Sequence, residues 1–273
     1  VRCGRDPVYF TNNYAKISEP MRGLIPFELY DFQKDALNHF TEHRFSVILK
    51  ARQLGISTTV AAYVCWLMLF QREKNVLVVA TKLSTATNLV KKIKSIHKHL
   101  PPWLKIADIN INNRTSFELT NGSQVKASST SGDAGRSEAL SLLVVDEAAF
   151  VEGMDELWAG LYPTLSTGGR CIALSTPNGV GNWFHKTYTE AIESKNDFFT
   201  IKLPWSVHPE RDERWFKKET RNMAAREIAQ ELECNFNASG DTVVSGDDIK
   251  RLLDFCSEPG HRTGFDRNYW IWK

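Results

Sequence analysis

Residues 47–60 read VILKARQLGISTTV. An apolar run passes into a short polar loop with a single glycine, Gly55, and then into Ser57-Thr58-Thr59, residues that suit a helix start. Backbone N–H groups curled at a helix N-terminus bind phosphate, and a serine hydroxyl beside them suits Mg2+. The pattern that does this for nucleoside triphosphates is G-x-x-x-x-G-K-[ST]. Here Gly55 and Ser57 stand in register, but the first glycine is Lys50 and the lysine is Ile56. Isoleucine cannot offset phosphate charge. A nucleotide reading therefore needs a cation from Lys50, at the loop's first position, or from Arg52 inside it, whose guanidinium offers bidentate contact. Arg52 is the first choice and Lys50 the second. The competing reading is a strand–turn–helix corner with two solvated cations.

The stretch LLVVDE (142–147) strengthens the nucleotide reading. Four apolar residues end in Asp146-Glu147. After a phosphate loop, such an aspartate orients Mg2+ and the following glutamate polarises the attacking water. STPNG (175–179) follows another apolar run. Ser175 and Thr176 there can lie between the metal site and the outer surface, with Thr176 sensing the γ-phosphate, while Pro-Asn-Gly makes a turn. Upstream, YDFQKDAL (30–37) offers Gln33 to read an adenine edge and Phe32 to pack on the base, or else an amphipathic helix with Phe32 in the core. In SGDAGRSEAL (131–140), Arg136 is a candidate to stabilise developing phosphate charge, from a neighbouring subunit, against the plainer reading of a surface arginine.

The elements that must position these residues follow from apolar patterning. Runs at 46–50, 75–81, 140–150, 171–176 and 197–205 read as strands, and 57–71 and 83–100 as helices. In the second helix Leu89, Ile93, Ile96 and Leu100 share one face, and Lys91, Lys92, Lys94 and Lys98 lie near its polar side as a solvated face. Residues 116–129 alternate around Asn121-Gly122, which predicts a hairpin with a two-residue loop. Asp247-Asp248 reads as a helix opening rather than nuclease carboxylates. Alternating strand and helix implies α/β architecture with a doubly wound, mostly parallel sheet, whose ligands sit at the strands' carboxyl ends.

The chain has 273 residues, 42% of them hydrophobic and 24% charged, enough for a sizeable core. A net charge of +2 is too mild to argue nucleic-acid binding by itself. The five cysteines have no C-x-x-C spacing, which excludes a sequence-evident zinc site and fits reduced, mostly buried thiols. The longest apolar stretch, 60–70, is too short to span a membrane. The start at Val1 and the aromatic YWIWK end suggest a fragment of a longer protein.

ARQLGIST, VVDEAAF and STPNG in that order, with YDFQ upstream and AQELECNFNASGDTV (229–243) downstream, resemble the ATPase domain of the large terminase subunit of tailed bacteriophages, closest in style to the T-even type. The resemblance covers about residues 27–240. It implies a P-loop fold of the RecA/ASCE-like type with a small helical lid subdomain. The domains are then an N-terminal segment (1–26), the ATPase core (27–204), the lid (205–253), and a linker toward an absent nuclease domain (254–273).

It implies ATP and Mg2+ as cofactors. Phe32, Gln33, Lys50, Ala51, Arg52, Gln53, Leu54, Gly55, Ile56, Ser57 and Thr58 would bind ATP, with Ser57 and Asp146 on the metal. Glu147, Arg136 and Arg52 would be catalytic, with Arg136 as a trans-acting arginine finger, and Ser175 and Thr176 would couple. It implies a homo-oligomeric ring, docked on the portal protein in the host cytoplasm, that works with the small terminase subunit to pump double-stranded DNA into a preformed capsid, without a membrane. A helicase-type fragment is the nearest rival, but residues after Glu147 lack a second set of strand–helix units. A non-hydrolysing scaffold rests only on the missing loop lysine, and the presence of Glu147 argues against it.

Overall fold

A computed structural model of the chain describes residues 1–130 and 138–239, with the backbone of two short paired strands at 261–263 and 269–271. The chain opens with helices α1 (Arg2–Arg5) and α2 (Pro7–Tyr14), then an antiparallel hairpin of β1 (Lys16–Glu19) and β2 (Gly23–Pro26). Helix α3 (Asp31–Glu42) buries Gln33, Ala36, Leu37 and Phe40, the i, i+3, i+4, i+7 stripe of a helix lying on a core.

From there strand and helix alternate: β3 (Phe45–Lys50), α4 (Ile56–Phe70), β4 (Asn75–Ala80) and α5 (Leu83–Lys98). An antiparallel excursion follows, β5 (Ile109–Asn112), β6 (Ser116–Leu119) and β7 (Gln124–Ser128). Then come β8 (Leu142–Asp146), α6 (Met154–Leu161), β9 (Arg170–Ser175), α7 (Trp183–Ile192) and β10 (Phe198–Leu203). Three short helices close the described region: α8 (Glu213–Glu219), α9 (Ala225–Glu231) and α10 (Phe236–Ser239).

The main sheet has the order β10-β3-β9-β8-β4-β7-β6-β5. Its first six strands are parallel, and β6 and β5 run antiparallel at the far edge. Every residue of β8 is buried, as expected of a parallel strand covered on both faces. Twelve of the fifteen residues of α4 are buried, which makes it a core helix rather than a surface one. Residue 56 is the first turn of that helix, and Ile56 is only 1% exposed.

The hairpin at Asn121-Gly122 departs from expectation. Leu119 pairs with Ser123, so three residues form the loop, and the Gly122 N–H donates to the Leu119 carbonyl at 3.0 Å. Gly122 has φ +81°, the left-handed residue that follows a type I turn in such loops. The Asn121 amide is drawn away to the Met68 carbonyl (2.8 Å), which anchors the turn to the end of α4. Residues 1–26 pack against the start of the core. Phe10 is fully buried and stacks edge-on against Phe70, and the Trp66 indole donates to the Cys3 carbonyl at 2.7 Å. Cys65, Cys171 and Cys234 are buried free thiols, and burial raises the pKa of each.

Candidate nucleotide-binding site

Strand register brings the chemistry together. β9 lies between β3 and β8, with Leu49 level with Ser175 and Leu174 level with Asp146. On the other side of β8, Ala80 is level with Asp146. The loop after β3, the acids ending β8, the Ser175-Thr176 corner and Thr81 therefore emerge side by side at the carboxyl edge of the sheet.

The loop leaves β3 by extending the sheet one step, with the Ala51 N–H donating to the Leu203 carbonyl at 2.7 Å. Gln53 (φ +57°) and Gly55 (φ +73°) then take left-handed conformations that curl the backbone into α4. A Cβ on Gly55 would fall 2.7 Å from Gln33 Nε2, so glycine is required by close approach as well as by φ. Arg211 grips the loop from outside, donating to the carbonyls of Arg52 (3.3 Å) and Gln53 (2.9 Å) while its guanidinium lies over the Trp215 ring.

Asp146 is 7% exposed, and its Oδ1 accepts from the Glu147 N–H at 3.0 Å. Burial pushes its carboxyl pKa up, opposed by the Lys50 charge and by the nearby Ser57 hydroxyl. Glu147 next to it differs in every respect. It is exposed, its backbone is left-handed (φ +56°), and Thr81 Oγ1 donates to its Oε2 at 2.9 Å. A non-glycine residue held at positive φ stores strain of about 1–3 kcal/mol, the kind that aims a side chain at functional sites. One acid is thus sheltered beside a hydroxyl, and the other is turned outward and steadied. Oxygen donors of this kind, a buried carboxylate and a half-buried hydroxyl, fit a hard cation such as Mg2+.

The Ser175-Thr176 corner is buried. Ser175 Oγ accepts from the Ala149 N–H (3.2 Å), and the Asn178 amide donates to the Ala149 carbonyl (3.2 Å). Further along the corner, the Gly179 N–H donates to Ser239 Oγ at 3.0 Å. The corner therefore bridges the segment after the acids to α10. Asn178 is a contributor that its Pro-Asn-Gly turn context disguised.

Gln33 is 3% exposed and braces the loop: Nε2 donates to the Leu54 carbonyl (3.0 Å), and Oε1 accepts from the Tyr30 N–H (3.1 Å). Tyr30 and Phe32 stack in parallel with centroids 5.8 Å apart, and His208 lies 4.5 Å from Tyr30. Beside them a cleft of about 530 Å³ is lined by Ile17, Arg22, Tyr30, Gln33, Gly55 and Thr58. The hairpin β1–β2 as one wall, and Tyr30 and His208, escaped sequence reasoning; nothing local in KISEPMRGLIP marks it as a wall.

The cations divide. Arg52 is drawn to α9, with its N–H donating to the Glu231 carbonyl (2.7 Å) and its guanidinium 3.4 Å from the Glu231 carboxylate. Lys50 is the cation whose charge acts on Asp146. Lys92, expected on a solvated helix face, instead donates from Nζ to Thr58 Oγ1 at 3.1 Å. Arg136 and Asp247-Asp248 lie outside the described residues.

A family model described as "Terminase large subunit, T4likevirus-type, N-terminal" matches residues 47–251. The chain belongs to that family. Among curated proteins, the probable terminase large subunit gp28 of Escherichia phage Mu is 29% identical over 124 residues, 38% of this chain and 22% of that protein. The matched part is thus about a fifth of that relative's length. The large terminase ATPase domain of Thermus phage P74-26 superposes with a TM-score of 0.63 at 19% identity, covering 77% of this chain and 94% of that one. The large terminase of the thermophilic bacteriophage D6E in complex with ADP gives 0.60 at 13% identity, over 75% and 52%. At such identities the likeness concerns the fold, a mostly parallel α/β sheet shared with terminase ATPase domains. Among the described residues no helix is long and apolar enough to cross a membrane.

Proposed function

We propose that this terminase chain hydrolyses Mg-ATP at the carboxyl edge of its sheet and that the free energy drives double-stranded DNA into a preformed capsid. The observation that carries the reading is the strand register, which sets the phosphate loop after β3 and Asp146-Glu147 at the end of β8 on either side of β9 at one edge of the sheet. Family membership and the ADP named in the D6E structure support it. In this mechanism the backbone of residues 51–58 and the N-terminus of α4 cradle the phosphates. Ser57 and Asp146 are the oxygens that would hold Mg2+, which when bound supplies neutralisation of the β- and γ-phosphate charge.

Glu147, held by Thr81, orients the attacking water and accepts its proton as the γ-phosphoryl group transfers, leaving ADP and phosphate. Lys50 stands ahead of Arg52 as a phosphate contact, because Arg52 first has to leave Glu231. Arg136 acts from a neighbouring protomer in a ring. Thr176 and Ser175 pass the change in phosphate state to α10 through Asn178, Gly179 and Ser239, so residues 205–239 behave as part of a lid. The ring docks on the portal in the host cytoplasm and works with the small terminase subunit.

Steady-state ATP turnover with Mg2+, measured across protein concentration, tests this. Turnover per chain that rises with concentration supports a site completed by a neighbour. Concentration-independent turnover keeps the ATPase and removes the trans role of Arg136. A chain that binds no ATP overturns the reading.

A further inference from the structure

Ile56 leaves the loop without its usual cation, and its burial means that no rotamer of residue 56 reaches a ligand. Arg211, Arg52, Lys50 and Lys92 all reach the loop region, but they are not equivalent. Two guanidinium donors of Arg211 are engaged by loop carbonyls. Arg52 faces Glu231. Lys50 faces Asp146 from the strand end.

Lys92 comes from a different element. In α5, Leu89, Val90, Ile93 and Ile96 are buried, which leaves residue 92 on the flank of that stripe. From there the residue is exposed, and its ammonium reaches the first turn of α4 at Thr58, next to Ser57. A groove of about 470 Å³ lined by Ile17, Ser18, Thr58, Asn88, Lys91 and Lys92 runs beneath it. Ile17 and Thr58 also line the cleft beside Gln33. The ammonium therefore sits where two clefts meet, at the helix N-terminus that would face phosphate.

Its charge lies in the fields of both Asp146 and Lys50, and partial desolvation holds its pKa below the ordinary lysine value. An ammonium has three donors, and the Thr58 bond is the only hydrogen bond of this one among the described residues.

We infer that Lys92, projecting from α5 onto Thr58, supplies the cation that the phosphate loop lacks at Ile56 and contacts the phosphates of the bound nucleotide from outside the loop. The inference rests on the nucleotide reading above and goes beyond it, since no loop motif points to α5. It assigns Lys92 to substrate binding beside Lys50.

The test is a titration of the full chain with Mg-ATP, Mg-ADP and adenosine, alongside Lys92→Met and Lys92→Arg, with apo melting temperature as the control for folding. Methionine keeps the aliphatic stem. The expected result is a loss of about ten- to hundredfold in ATP and ADP affinity for Lys92→Met, the size of one charge-assisted contact. Adenosine affinity stays unchanged, Lys92→Arg recovers most of the loss, and apo melting is not lowered. ATP affinity of Lys92→Met equal to the parent's overturns the inference alone. A lowered apo melting temperature with equal loss for adenosine assigns Lys92 a structural role and overturns it too. A parent chain that binds none of these ligands overturns the nucleotide reading itself.

Discussion

The guanidinium of Arg52 lies 3.4 Å from the Glu231 carboxylate, and the two residues are joined a second time through backbone, by the Arg52 N–H and the Glu231 carbonyl. The phosphate loop is thereby tied to α9 by the same residue whose charge a nucleotide would recruit. Both its charge and its backbone here serve α9.

This relationship predicts opposite effects on stability and affinity. The Arg52 side chain is 69% exposed, so the ion pair contributes at most about 1 kcal/mol. Glu231→Gln is expected to leave denaturant unfolding within that margin. It frees Arg52 for phosphate and so tightens ATP binding a few-fold. An ATP titration in which Glu231→Gln binds more weakly than the parent would show that Arg52 stays with α9 when nucleotide is bound.

Glu147 and Thr81 form a second pair. Glu147→Gln keeps size and hydrogen bonding but cannot accept a proton, so turnover is expected to fall by about 10²- to 10⁴-fold with ATP affinity retained. Thr81→Val removes only the 2.9 Å bond that steadies the carboxylate. It is expected to lower kcat by about tenfold, with KM unchanged, as for a lost positioning contact. Single-turnover kinetics separate the two effects, and parent-like chemistry in Glu147→Gln removes its role in water activation.

Gly55 meets two constraints at once, and a double substitution separates them. Gly55→Ala places a methyl group 2.7 Å from Gln33 Nε2 and forces alanine to φ +73°. The expected cost is about 1–3 kcal/mol in thermal or denaturant unfolding. Gln33→Ala alone removes the brace on Leu54; measured against that variant, adding Gly55→Ala relieves the clash but not the φ strain, so the glycine substitution costs less there than in the parent. No cost at all in the Gln33→Ala background would mean that the left-handed φ costs this loop nothing.

Much of this site was legible because parallel strands buried on both faces read as apolar runs. VILK, LLVVD and CIALS announced β3, β8 and β9, and their polar ends marked the carboxyl edge of the sheet. What could not be read locally was what crosses from elsewhere. The hairpin wall at Ile17 and Arg22 has no pattern of its own and is defined only by its packing. Lys92 looked like a solvated charge, since helix periodicity reports which residues face the core and not which flank meets a neighbouring loop. Asn121-Gly122 read as a two-residue turn because Ser123 gave no sign that it would pair with Leu119. Ile56 looked like a lost function; in the fold it is a core residue at the start of a buried helix.

His97 provides a pH test away from the nucleotide site. It is 3% exposed in α5, its Nε2 has no hydrogen-bond partner, and Phe117 packs edge-on at 5.2 Å. Burial, with the Lys105 charge, lowers its pKa from the usual 6.5. A depressed folded pKa means that the unfolded chain takes up the proton first. The contribution is fully favourable above about pH 6.5 and is lost as pH falls from there through the folded pKa. Denaturant unfolding of the parent between about pH 8 and 5 is therefore expected to show stability falling with acid. In His97→Leu that component is absent, so the stability difference between the two chains shifts in favour of the variant as pH falls. A difference that stays constant across the range would mean that His97 is protonated equally well in the folded and unfolded chain.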